Sequence, residues 1–316
     1  MGAMEYPRTA AEFNRQFSTE EACWDYLVKL RWPEGFRCPD CGSPKEWLTS
    51  NKLFRCGACE SAVSVTAGTI FQDTRKPLRL WFHAMWWVVG QKNGVSAVGL
   101  NHVLGIGSEK TAWTWLHKLR RAMVRPGREP LTGEVEVAET FVGGVEKGGG
   151  RRHLGNKAMV VIAAEIRGKG IGRIRLKRIA DGSSDSLTTF VREAVEKGSV
   201  VVSDGLQSYR SLPEHGYHHR RRIVEGRTKA STLLPRVHRV ASLLKRWLLG
   251  THQGAVSREH LDSYLDEFAF RFNRRTSQHR GKLFYRLVQQ AVAGRPAPYD
   301  AIIKHVRGRQ GQKHNR

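Results

Sequence analysis

Two short cysteine pairs, Cys38-Pro39-Asp40-Cys41 and Cys56-Gly57-Ala58-Cys59, stand fourteen residues apart. At this spacing four thiolates can surround one ion tetrahedrally, which suits zinc, and a segment this short folds around a metal without a large core of its own. Four protein ligands leave no coordination position open, so the expected Zn²⁺ is structural. Lys52 to Arg55 and Ala62 to Val65 read as ribbon strands between and after the knuckles, placing a zinc ribbon at 37–76. The fifth cysteine, Cys23, reads as a small core residue. Paired cysteines of this kind fit a reducing compartment better than a disulfide scaffold, and a bacterial cytoplasm is the expected location.

The charge balance restricts the partner. Fifty-three Lys and Arg against 29 Asp and Glu leave +24 over 316 residues, a load that a compact chain carries most easily beside a polyanion. Residues 1–76 are neutral, with ten basic and ten acidic groups; residues 77–131 sum to +6 and residues 132–316 to +18. Nucleic acid is therefore expected at the middle and C-terminal parts. The longest apolar stretch, near Trp81 to Val89, is interrupted by His83 and is too short to span a bilayer, so no membrane partner is expected. Met1, Gly2 and Ala3 ahead of Met4 read as a cloning remnant.

The hydrophobic periodicity divides the chain. Thr9 to Arg31 is a helical lead-in (1–36), with Phe13, Phe17, Trp24, Leu27 and Leu30 at helical spacing. From Pro77 an apolar stripe of Leu80, Trp81, Ala84, Trp87 and Val88 marks another helix. Ser96 to Leu104, the turn Gly105-Ile106-Gly107 and Ser108 to Met123 then form two helices about a tight turn, a helix-turn-helix region over 77–125. Ser108 is the expected N-cap, and Lys110, Lys118, Arg120 and Arg121 are the cations expected to reach DNA. Plain helix packing without DNA contact stays open as an alternative. Arg125, Pro126, Gly127 and Pro130 read as a linker.

Beyond the linker strands come first. Glu134 to Val142 alternates, with Val135, Val137 and Phe141 on one face and Glu134, Glu136, Ala138 and Thr140 on the other, and Gly143-Gly144 ends it. Ala158 to Ile166 and Gly172 to Ile179 follow as strands, Leu187 to Glu196 as a helix, and Val200 to Val202 as a buried strand with Ser203-Asp204-Gly205 at its end. His238 to Leu249 and Arg258 to Arg271 are helical. This order describes a mixed α/β sheet with function at strand ends. Nucleases so built hold two divalent ions on carboxylates from the first strand, the fourth strand and a later helix. Asp204 suits the second position, although an Asp-Gly pair also starts turns.

Four segments carry a family resemblance: Glu134 to Gly144, Ser203-Asp204-Gly205, Ser242 to Arg246 (SLLKR), and Leu265 to Arg275 (LDEFAFRFNRR). Through them the chain resembles the zinc-ribbon branch of the bacterial DDE-type insertion-sequence transposases, from the ribbon to about Ala291. The resemblance implies an RNase H-like mixed sheet with flanking helices over 131–292. It implies cleavage and strand transfer of DNA at terminal inverted repeats with Mg²⁺ or Mn²⁺, and a homodimer or larger assembly on element ends and target DNA. The family pattern has an aspartate where this chain has Ala138, a second at Asp204, and Glu, Asn or His just ahead of SLLKR, which falls on His238. A phosphate-contacting histidine is the other reading of His238. An imidazole suits Mn²⁺ better than Mg²⁺.

The departure at Ala138 decides the expected activity. A methyl group cannot bridge two cations, Glu139 points to the opposite face, and Glu136 is displaced by about 6.6 Å along the strand. The chain is expected to bind DNA and scarcely cut it. Engineered inactivation fits this, and a naturally inactive DNA-binding or regulatory protein derived from a transposase is the alternative; a nuclease for branched DNA is a third. Arg220, Arg221 and Arg222 after His218-His219, then Lys245, Arg246, Arg274 and Arg275, with Arg271, Arg280 and Lys282, are expected at phosphates. Residues 293–316 read as a basic tail; from Lys304 it carries five basic and no acidic groups.

Overall fold

The computed structural model describes residues 5–125, 127–143, 157–223, 230–254 and 256–303. The expected remnant at Met1 to Ala3, Pro126 of the linker, Gly144, and the tail from Lys304 lie outside the described residues. The chain divides into two compact units, residues 1–125 with 277–316, and residues 126–276.

In the first unit the lead-in is two helices, α1 (Ala10–Gln16) and α2 (Glu20–Arg31), rather than one. Thr19 interrupts them because its hydroxyl accepts the Ala22 N–H and caps α2, at 3.1 Å. Three short antiparallel strands, β1 (Glu46–Leu48), β2 (Leu53–Cys56) and β3 (Ala62–Ser64), make the ribbon in the order β1-β2-β3. One face of it packs on α2: Phe54 stacks against Trp24 and Phe36 and meets the Trp32 edge at 4.8 Å.

Next come α3 (Leu78–Gly90), α4 (Ala97–Leu104) and α5 (Glu109–Ala122). Ser96 and Ser108 cap α4 and α5 through Gly99 and Thr111 N–H groups, each contributing about 1 kcal/mol. Gly105, at φ 59°, ends α4 in the left-handed conformation that the tight turn requires. Trp81 of α3 stacks on Trp115 of α5 with centroids 3.7 Å apart. Two helices about a tight turn thus stand where the sequence reading placed them.

Two helices unforeseen in the sequence complete this unit, α10 (Arg280–Ala293) and α11 (Tyr299–Ile303). Phe284 of α10 is fully buried among Phe13, Phe17, Phe82 and Trp86. A Cβ on Gly281 would lie 1.5 Å from the Pro7 carbonyl oxygen, so only glycine allows this approach. The boundary expected at residue 292 is therefore corrected: residues 277–292 share a core with the N-terminal helices, and the sheet unit ends at Thr276.

The second unit is built on five strands: β4 (Glu134–Val142), β5 (Ala158–Arg167), β6 (Gly170–Ile179), β7 (Val200–Ser203) and β8 (His218–Arg221). Their order is β6-β5-β4-β7-β8, antiparallel from β6 to β4 and parallel from β4 through β7 to β8. Helix α6 (Ser184–Ala194) covers one face through Leu187, Phe190 and Val191. A short helix α7 (Ala230–Leu233), then α8 (Pro235–His252) and α9 (Leu261–Asn273), lie on the chain's later half, and α8 and α9 cover the other face. Because β5 is covered on both sides, its sequence is a continuous apolar run from Ala158 to Ala164 rather than an alternating one. This is the RNase H-like mixed sheet with flanking helices that the resemblance implied, preceded by the ribbon.

Candidate metal centres

The ribbon brings its four cysteines together. The Sγ atoms of Cys38, Cys41, Cys56 and Cys59 all lie within 4.8 Å of one another, with Cys38–Cys59 at 3.6 Å and Cys41–Cys56 at 3.5 Å. A tetrahedron with Zn–S bonds of about 2.3 Å has edges of about 3.8 Å, so the set fits zinc. The two knuckles are built alike. The Cys38 carbonyl accepts the Gly42 N–H and the Cys56 carbonyl accepts the Glu60 N–H, while Cys38 and Cys56 donate to Ser43 and Ser61 carbonyls. N–H groups of Cys59 and Ala58 aimed at Cys56 hold its thiol down to about 6, favouring the thiolate that a metal binds. Cys23 is buried in the core and apart from this set, as expected.

The sheet unit supplies the second candidate centre. Ala138 is half-buried on the β4 face that packs on α8 and α9. The parallel register aligns Glu134 with Val200 and Glu136 with Val202. Continued past the last paired residues, that offset sets position 138 opposite Asp204, one residue beyond the end of β7. One Asp204 carboxylate oxygen accepts the Leu206 N–H at 3.0 Å, so the turn reading of this residue holds and fixes its side chain. His238 is half-buried in the first turn of α8, beside Val237, whose side chain enters the core of that same face.

Glu136 anchors that helix. Its carboxylate, fully buried, accepts the backbone N–H groups of Arg236 (2.7 Å) and Val237 (3.1 Å) and pairs with the Arg236 guanidinium at 3.0 Å. Arg236 in turn donates to the Gly168 and Gly170 carbonyls of the β5–β6 hairpin. The start of α8 is thereby tied to β4 two residues before position 138. Pairing across a hundred residues leaves no periodic trace, and the sequence reading weighed Glu136 only as a substitute ligand. The structure gives a stronger reason than distance against that role: its oxygens are already engaged.

Glu139 faces the other way, as strand alternation requires. It accepts the Tyr209 hydroxyl at 2.7 Å in the α6-side core. Burial raises its pKa and the nearby Asp204 raises it further, while the Tyr209 hydrogen bond opposes both. On the same side the Ser203 hydroxyl lies 2.8 Å from His219 Nε2, and burial lowers the His219 pKa. Two hydrogen-bonded pairs, Glu139 with Tyr209 and Ser203 with His219, thus lie behind the sheet beside Asp204.

Residues 130–273 match the ISXO2-like transposase domain, and residues 18–62 match the transposase zinc-ribbon domain. Those two stretches therefore belong to the transposase domain and the transposase zinc ribbon that the matches describe. It is 24% identical over 276 residues to an uncharacterized protein in transposable element ISH50 of Halobacterium salinarum, covering 81% of this chain and 92% of that one. Solved structures similar to it include the Mos1 transposase paired-end complex with left transposon end (TM-score 0.29, 13% identity, 74% of this chain and 80% of that one). A second is the Mos1 strand transfer complex (0.27, 14%, 70% and 80%), and a third the simian T-cell lymphotropic virus intasome with a PP2A regulatory subunit (0.32, 12%, 64% and 74%).

The transposase domain contains position 138, Asp204 and His238 alike. Its expected phosphate contacts are placed unequally. Lys245 and Arg246 are exposed on α8, and Lys245 continues the stripe that begins at His238 and Ser242. Arg220 and Arg221 are exposed on the edge strand β8, with Arg220 paired to Glu134 at 2.7 Å. Arg222 is occupied, donating its backbone N–H to Ser203 and its guanidinium to Leu233. Arg275 lies over the Phe272 ring and donates to the Ile171, Gly172 and Phe272 carbonyls, which ties α9 to β6. Arg274 lies 4.1 Å over Phe270, and Arg271 pairs with the buried Glu267.

On α5 one expectation is corrected. Arg120 is 1% exposed, on the helix face packed into the core, and a side chain so enclosed cannot reach a phosphate. Lys110 is exposed and lies 4.4 Å over the Tyr299 ring, Lys118 is half-buried, and Arg121 donates to the Ala301 carbonyl at 3.2 Å. Much of the charge on this helix thus faces α11. Among the described residues no helix is long and apolar enough to cross a membrane.

Proposed function

We propose that this transposase-family chain binds the terminal inverted repeats of a mobile element through its ribbon and helix-turn-helix region. Its sheet domain is built for metal-dependent DNA cleavage and strand transfer, and Ala138 has disabled it. The reading is supported by the match of residues 130–273 to the transposase domain, and by Ala138 lying on the α8 side of β4, the strand in parallel register with the one that Asp204 follows.

With an aspartate at 138, that residue, Asp204 and His238 would hold Mg²⁺ or Mn²⁺, which supplies charge stabilisation at phosphorus and aligns the attacking and leaving oxygens. Asp204 is fixed by the Leu206 N–H, and His238 by the Glu136 anchor. Lys245 and Arg246 extend from the same helix to the phosphate backbone. With Ala138 the set would offer a metal one carboxylate fewer, so duplex binding would persist without efficient cleavage.

The partners are duplex DNA, as element ends and as target, and further copies of this chain, since two ends are joined in one reaction. The working location is a bacterial cytoplasm. The domain scheme keeps ribbon and helix-turn-helix in the first unit and catalysis in the second. A natural DNA-binding regulator is a second reading, favoured by the same Ala138 methyl group. Selection of genomic fragments on the purified chain tests the binding claim. Enrichment of duplexes carrying inverted repeats is expected, and enrichment without common sequence contradicts it.

A further inference from the structure

The first 76 residues are neutral in sum, yet their charges are sorted in space. Three of the six acidic groups of the helical lead-in are engaged internally. Glu20 accepts the Leu78 and Arg79 N–H groups at the start of α3, Glu21 pairs with Lys52, and Glu12 accepts the Arg8 N–H. On the ribbon the separation is made by strand alternation. Register pairs Trp47 with Arg55 and Arg55 with Ala62, and the ladder continues outward through the Gly57 N–H to the Lys45 carbonyl. Lys45, Trp47, Arg55 and Ala62 therefore share one face, and all four are exposed.

The opposite face, with Phe54 and Val63, is the one buried against α2. Among the described residues Trp47, half exposed, makes no ring contact, and the side chains of Lys45 and Arg55 make no ion pair. Glu46 falls on the other face, so the open one carries two cations and no carboxylate from its strands. An exposed indole set between two cations presents a flat stacking surface flanked by positive charge.

We infer that this open face of the zinc ribbon docks on duplex DNA, with Trp47 against the sugar and base edges and Lys45 and Arg55 on separate phosphates. The two cations are diagonal cross-strand neighbours, about 7–8 Å apart, which suits two phosphates better than one. Charge complementarity selects a polyanion over an apolar protein surface. Gly57 opposite Lys45 presents no side chain, so the lysine is unobstructed on that side. The inference rests on the DNA-binding reading above and adds a surface that the neutral charge of this segment conceals.

The test uses the full, zinc-loaded chain and a labelled DNA duplex, with affinity measured by fluorescence anisotropy across a salt series. Lys45→Ala and Arg55→Ala should each flatten the slope of log affinity against log salt by about 1. Trp47→Ala should weaken binding at least about fivefold with the slope unchanged. Zinc content and thermal unfolding of each variant establish that the ribbon is intact. Intact variants that bind with the parent's slope and affinity overturn the inference. So does a sedimentation result in which Trp47→Ala breaks a self-association while DNA affinity is kept. Absence of duplex binding by the parent chain would instead overturn the proposed function itself.

Discussion

Glu136 and Arg236, a hundred residues apart, form a buried ion pair at 3.0 Å whose carboxylate also caps the start of α8. The pair fixes the helix bearing His238 against the strand bearing position 138. Removing the carboxylate leaves a largely buried guanidinium and two backbone donors without their acceptor. Glu136→Ala should cost about 3–5 kcal/mol in chemical denaturation, and the double change Glu136→Ala with Arg236→Leu should recover part of that loss. A cost under about 1 kcal/mol for the single change would remove the anchor from the account.

The ribbon should depend on its metal. One zinc per chain is expected by elemental analysis, and Cys56→Ser or Cys59→Ser should abolish it. Chelation should expose residues 37–64 to proteolysis and hydrogen exchange, because the small Phe36–Phe54 cluster is insufficient alone. The sheet unit should retain its protection. Full protection of the ribbon after zinc removal would contradict this.

Acid should act through Glu165. This carboxylate accepts from Arg173 at 2.6 Å and from the Thr132 N–H. Burial raises its pKa, but the Arg173 and backbone hydrogen bonds outweigh burial and lower it from 4.5. A lowered folded value means that the stability is present above the unfolded pKa and is lost as pH falls through the folded one. Glu165→Gln should therefore lower the melting temperature at neutral pH and narrow its gap to the parent below about pH 4. A gap that widens on acidification would reverse the sign.

Cations of the transposase domain and of α5 should separate by burial. Lys245→Ala and Arg246→Ala should each reduce the salt dependence of DNA binding by about 1 with little change in stability. Arg120→Ala should do the opposite, destabilising the helical unit while the salt slope stays at the parent value. A lower slope for intact Arg120→Ala would restore it as a phosphate contact.

Local signals in the sequence reached far where one rule dominated. The four thiols, the serine that caps α5, and the alternation along β4 each followed from spacing or side-chain chemistry, and the structure keeps them. Tertiary context governed the rest. His218 to Arg221 is a polar edge strand because β7 offers a free edge beside it, and its charges had suggested a phosphate-binding run instead. Thr19 breaks the lead-in with a single hydrogen bond. Residues 280–293 join the N-terminal core through Phe284 and Gly281, a long-range partnership that periodicity does not encode. The four clustered cysteines were legible as types and positions; the Glu136 anchor and the Tyr209–Glu139 layer were not, since each joins segments 70 to 100 residues apart.

Under the proposed function, one missing carboxylate separates this chain from activity. Restoring it with Ala138→Asp and following a labelled duplex that carries an element end, in the presence of Mn²⁺, measures that directly. The restored chain should nick the end and join its 3′-hydroxyl to target DNA, while the parent leaves the duplex whole and Asp204→Asn silences the restored chain again. No gain in cleavage on restoration, with DNA binding intact, would contradict the account.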